Sequence, residues 1–125
     1  MKKKTPKRMI SQLLLINRLR KFTTERNWER YHTPKNLIMA LSVEVAELME
    51  LFQWVSEKEE SDNVEVNKRQ QIMSELGDIM LYLIRLTDIL CIDLIECAWN
   101  KMDQNELKYP VALSKGKFIK YNERK

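Results

Sequence analysis

Two short segments place acidic side chains where oxygen-ligand chemistry is possible. In LSVEVAELMELFQW, residues 41–54, Glu44 and Glu47 stand three apart, and in SELGDIMLYL, residues 74–83, Glu75 and Asp78 repeat that spacing. On a helix turning about 100° per residue, Leu37, Leu41, Val45, Leu48 and Phe52 fall to one side of Glu44, and Glu47 lies about 60° to the other. The second segment behaves alike: Ile72, Leu76, Ile79, Leu83 and Leu86 form the apolar side of Glu75, Asp78 borders the opposite side, and Tyr82 falls between the carboxylates. Acids three apart on a helix are usually solvated surface residues. Two such pairs, each bordering an apolar stripe, are harder to leave in that class. Packed antiparallel, these helices would bring four carboxylates together beside the core, where like charges repel and lose hydration. A divalent cation removes that cost. All-oxygen ligands without nearby His or Cys favour Mg²⁺ or Mn²⁺ over zinc. A di-iron bundle would use Glu-x-x-His pairs, and the single histidine, His32, lies outside both segments.

The elements that must position these residues are legible from periodicity and punctuation. The chain has 125 residues, enough for one domain with one core, and only 2 Gly and 3 Pro, which favours long helices over strands. A first helix is predicted from residue 7 to the high twenties, with Ile10, Leu13, Leu14, Ile16, Leu19 and Phe22 on its apolar face. The polar stretch ERNWERYHTPKN breaks it. Thr33 can cap a second helix that has Pro34 in its first turn and reaches about Val55. The acidic SEKEESDNVEVN reads as a loop. A third helix covers roughly residues 64–90, and a fourth starts near Asp93, which with Glu96 resembles a capping box, and ends before Pro110. The expected architecture is an all-α four-helix bundle over residues 1–110, followed by a basic extended tail, 111–125.

Charge and cysteine content narrow the setting. The net charge is +4, with basic ends flanking an acidic middle. Such ends suit nucleic acid, an anionic small molecule, or plain solvation. A module binding nucleic acid through its basic ends is therefore an alternative, and a helical interaction protein without a ligand is another. No apolar run is long enough to span a bilayer. The basic N-terminus lacks the pattern of a secretory signal, so a cytoplasmic protein is expected. Cys91 and Cys97 read as two small core thiols rather than a disulfide, and Trp99 as a core or interface residue.

Beyond these patterns, NWERYHTPKNLIMALSVEVAELMELFQW, SELGDIMLYLIRL and KMDQNELKYPV resemble the MazG-like all-α nucleotide pyrophosphohydrolases, most closely the dCTP pyrophosphatase branch. The likeness spans about residues 20–112. The family motif, E-x-x-E and then E-x-x-D, is met by Glu44, Glu47, Glu75 and Asp78. The resemblance implies Mg²⁺-dependent hydrolysis of a (deoxy)nucleoside triphosphate, dCTP or a related or modified dNTP, to the monophosphate and pyrophosphate. It implies that those carboxylates are the catalytic metal ligands and that members associate as homodimers or homotetramers. Trp28, Glu29, Arg30, Tyr31, His32, Trp54 and Tyr82 would match nucleotide-binding positions, with Lys101 and Asn105 on the phosphate side. One pocket position, a histidine in that branch, aligns with Leu19. The residue chemistry agrees: Trp28 and Trp54 offer flat faces for a base, and Arg30 and His32 can meet phosphate or base edges. Arg85 has the simpler expectation of an ion pair with an acid.

Overall fold

The computed structural model describes residues 7–55 and 67–117, and the elements found there are helical, with no strand among the described residues. Four long helices occur as expected: α1, Lys7–Glu25; α2, Pro34–Glu50; α3, Arg69–Ile89; and α4, Leu94–Lys108. A 3₁₀ turn, Glu29–Tyr31, bridges α1 and α2, and a single turn, α5, Val111–Ser114, follows α4. The chain divides into two compact units, Met1–Cys91 and Ile92–Lys125.

Local chemistry sets the helix ends. Thr33 is the N-cap of α2, its hydroxyl accepting from the Asn36 N–H at 3.2 Å with Pro34 at the first position, and Asp93 caps α4 by accepting from the Glu96 N–H at 3.1 Å. α2 stops at Glu50, short of Val55, and residues 51–54 continue only as turns. The expected start of α3 at residue 64 lies outside the described residues, as does most of the acidic loop. Residues 111–114 are not extended but helical, with Pro110 at the N-cap and Gly116 at φ 75° beyond the end. Proline's fixed φ suits the start of a turn, and a left-handed glycine stops it.

Within the first unit, α3 is central and α2 and α1 both pack on it. Glu44 lies near Glu75 and Asp78 while His32 meets Arg85, so α2 and α3 run antiparallel. The dry centre is small. Leu37 on α2 and Ile84 on α3 are each 1% exposed, and Thr23 on α1 is fully buried, its hydroxyl donating to the Leu19 carbonyl at 2.8 Å. Ile84 was not on the predicted apolar face of α3. Five members of the predicted faces, Leu13, Leu14 and Phe22 on α1, Val45 on α2 and Leu76 on α3, are exposed, as are Ile38, Met39, Val43, Met49, Met73 and Met80.

In the second unit Trp99 is 69% exposed, so it is not a core residue of the chain. Cys91 and Cys97 are free, as expected, but exposed rather than buried. Cys91 occupies a left-handed position, φ 55°, just past α3, where its N–H bonds the Asp88 carbonyl.

Candidate metal centre and aromatic loop

The cap of α2 and the antiparallel packing of α2 on α3 fix the acidic site. One oxygen each from Glu44, Glu75 and Asp78 lie within 4.8 Å of one another. Oε2 of Glu44 and Oε2 of Glu75 are both shielded from solvent and lack a hydrogen-bond donor. Buried acceptors of this kind normally find a partner. The Glu44 carboxyl is pushed up to about 7, first by the hydrogen bond it can share with Glu75, then by burial, then by Glu47 and the charge of Asp78. Glu47 is thus a neighbour of Glu44 on the same helix, although it stands outside the three-oxygen cluster. These are properties suited to an oxygen-lined cation site: converging carboxylate oxygens and buried acceptors without a donor. Tyr82, half-buried, sits one turn beyond Asp78 on α3.

The aromatic loop is built differently. Asn27 ends α1 in the left-handed region, φ 54°, and its N–H bonds the Thr24 carbonyl while the Trp28 N–H bonds the Thr23 carbonyl. This paired pattern is a Schellman ending, with Asn in the role that glycine more often fills. It turns the chain so that Trp28 meets Phe22 edge-on, ring centroids 5.7 Å apart, and His32 at 6.4 Å. Arg26 covers the Phe22 ring at 3.7 Å and Arg30 covers Tyr31 at 4.7 Å. Glu29 and Arg30 flank a shallow surface pocket with Asn27. Behind Phe22, between α1 and α3, a mainly apolar cavity of about 340 Å³ is lined by Leu15, Arg18, Leu19, Phe22 and Leu81. Leu19, the position at which the resemblance anticipates a histidine, is therefore part of a cavity wall.

A ladder of charges supports this loop. Arg20 on α1 grips Asp88 on α3 through two hydrogen bonds, Nε to Oδ2 at 2.8 Å and Nη2 to Oδ1. Asp88 also accepts from Arg85 Nη1 at 3.4 Å, so the expected Arg85–acid pair is present. Arg85 further donates from Nε to His32 Nδ1 at 3.2 Å. Burial and the neighbouring Arg85 charge both hold the His32 pKa below its ordinary value. Arg20, above all, holds the Asp88 carboxyl below its usual range. Neither the ladder nor the Asn27 ending was read from the sequence. The Asn could have been suspected, because it follows the last residue of an apolar-periodic helix and precedes a tryptophan.

Of the remaining candidates, Trp54 lies past the end of α2 and is 88% exposed. Lys101 and Asn105 lie one turn apart on α4, in the second unit, with Asn105 half-buried.

The family model for MazG-like proteins matches residues 39–123, which include all four acids. The chain belongs to the MazG-like family. Its fold is shared with a crystal structure of a pyrophosphatase from Archaeoglobus fulgidus, at 38% identity and a TM-score of 0.75, covering 88% of this chain and 98% of that one. Curated relatives include dCTP pyrophosphatase 1 of Rattus norvegicus, 42% identical over 103 residues, and of Homo sapiens, 39% identical over the same length. These alignments cover 82% of this MazG-like chain but 61% of each relative, so the chain spans about three fifths of their length. Among the described residues, no helix is long and apolar enough to cross a membrane.

Proposed function

We propose that this MazG-like protein hydrolyses a (deoxy)nucleoside triphosphate, dCTP or a related or modified dNTP, to the monophosphate and pyrophosphate with Mg²⁺ as cofactor and Mn²⁺ as a substitute. The observation that carries this reading is the α2–α3 cluster with its two orphaned, buried carboxylate oxygens. Names of relatives that act on dCTP and of a pyrophosphatase with the same fold support it.

Glu44, Glu75 and Asp78 would hold the ion, with Glu47 beside them. A bound divalent ion supplies positive charge for phosphate oxygens and lowers the pKa of water. The chain's own residues do the rest. Glu47, adjacent to the cluster yet outside the three converging oxygens, orients or deprotonates the attacking water. Trp28 and Trp54 stack on the base, each contributing roughly 1–3 kcal/mol by analogy with nucleic-acid platforms. Tyr82 packs on one side and presents its hydroxyl, and Glu29, Arg30, Tyr31 and His32 line the approach. For Lys101 and Asn105, on α4 of the second unit, the resemblance implies a phosphate-side role in which a lysine offsets anionic charge.

We further propose that the chain acts as a homodimer or homotetramer. Among the described residues, α2 and α3 expose apolar side chains, Ile38, Met39, Val43, Met73 and Met80 among them, that a second copy can cover. Light scattering checks this point, and a monomer at micromolar concentration would refute it. The activity test is incubation with a panel of triphosphates, with and without Mg²⁺. Pyrophosphate released only with the metal is expected. No release from any triphosphate, with Mg²⁺ or Mn²⁺, would overturn the function.

A further inference from the structure

The ladder behind the aromatic loop has a feature that helix packing does not require. Joining α1 to α3 needs only Arg20 and Asp88, and Arg85 could spend its whole guanidinium on Asp88. Instead Arg85, 9% exposed, turns its Nε–H to His32 Nδ1 at 3.2 Å, from α3 into the loop before α2. A ring nitrogen that accepts a hydrogen bond carries no proton. The hydrogen of the neutral imidazole must then sit on Nε2, which can only donate. Three charged groups stand on this side of the ring: Arg85 in contact, Asp88 behind it at 3.4 Å, and Arg20 beyond. Trp28, at the N-cap of the 3₁₀ turn, meets the ring edge-on at 6.4 Å between centroids.

We propose that Arg85 is a positioning residue for nucleotide recognition, its Nε–H···Nδ1 bond fixing His32 as a neutral Nε2–H donor to an acceptor oxygen on the bound base. The inference rests on the reading of the loop as the nucleotide pocket. It selects the base over the phosphates. A phosphate contact would draw a second proton onto the imidazole, and Nδ1, the nitrogen that would take it, is already held by a permanently charged guanidinium. Asp88 and Arg20 act one step further back, holding the guanidinium in the orientation that presents Nε to the ring.

His32 is the only histidine, so its ring nitrogens are assignable without mutagenesis. Nitrogen-15 spectra of the full chain without nucleotide should show a pyridine-type Nδ1, a pyrrole-type Nε2, and a through-bond coupling between Arg85 Nε and His32 Nδ1. Arg85→Lys keeps the charge but loses the planar donor and should abolish the coupling. With the dNTP turned over best by the wild type, Arg85→Lys should raise KM about ten- to a hundredfold, the worth of a charge-assisted hydrogen bond, with a smaller change in kcat. In a His32→Ala background the same substitution should add almost nothing, because Arg85 acts through the ring. Arg20→Met, which removes the outer rung on an exposed side chain, gives a milder version of the same pattern and guards against misfolding of the Arg85 variant. Absence of the coupling in the wild type, or effects of Arg85→Lys and His32→Ala that simply multiply, would overturn the proposal. A coupling found in a protein that hydrolyses no triphosphate would instead sink the proposed function, and with it the assignment of His32 to a base, while leaving the bond itself established.

Discussion

Replacing Glu44 by Gln should make the metal-free protein more stable while ending its turnover. The Glu44 carboxyl is pushed from 4.5 up to about 7. The unfolded chain ionises this group near its ordinary value, so as pH rises from 4.5 the folded state retains a proton that the unfolded state has lost. Stability therefore falls between 4.5 and about 7, and the penalty is complete above that range. The shift taken whole corresponds to about 3 kcal/mol. Solvent reaching the half-buried side chain reduces this to about 1–2 kcal/mol. Glutamine keeps the shape and a donor toward Glu75 but carries no charge. Near pH 8 with a chelator, the variant should melt several degrees above the wild type. Near pH 5 the wild-type carboxyl is largely protonated and the gap should shrink. Excess Mg²⁺ near pH 8 should reverse the order, because only the intact carboxylate set gains from binding the ion. The assay is thermal unfolding at fixed protein concentration in these three conditions. A variant less stable than the wild type near pH 8 in chelator, or a gap indifferent to pH, would refute the reasoning that the carboxylates are mutually strained without a cation.

Four other outcomes follow from the same geometry. Trp54→Ala should leave stability within about 0.5 kcal/mol, since the side chain packs on almost nothing, while raising KM for the nucleotide about five- to a hundredfold if the indole stacks on the base; titration of activity against substrate beside a melting curve separates the two. Asp88→Asn should destabilise the fold, chiefly by leaving the largely buried Arg85 short of its counter-ion, read by urea unfolding. The stability that Asp88 supplies is complete above 3.8, its ordinary value, and is lost as pH falls through its depressed folded value, so the variant should lack that part of the wild type's acid sensitivity. Thr33→Ala should destabilise by about 1 kcal/mol through loss of the α2 cap, with Thr33→Ser near neutral in the same unfolding assay. Gly77→Ala, at a mid-helix glycine whose added Cβ meets nothing within 4 Å, should stabilise by about 0.5–1 kcal/mol, and destabilisation would show that a second copy or a ligand occupies that space.

Sequence alone determined the helices and the acidic pairs they carry. Periodicity of apolar residues and scarce glycine located four long helices, Thr33–Pro34 and Asp93 fixed two starts, and the repeated three-residue spacing put Glu44, Glu47, Glu75 and Asp78 on matching helix borders. Those signals are local, depending on a few residues' backbone preferences and side-chain reach, so they survive without knowledge of the rest of the chain. Which residues would be buried was not local. Ile84 is sealed while Val45, Leu76 and Trp99 are exposed, because burial depends on which face a neighbouring helix covers, and periodicity supplies a face but not its occupant. The same holds for the site. Packing decided that three of the four acids converge with Glu47 at their side, that Asn27 turns Trp28 toward Phe22, and that Arg85 reaches past its expected acid to His32. A side-chain hydrogen bond across 53 residues has no spacing to read, since only the antiparallel course of α2 on α3 brings its ends together.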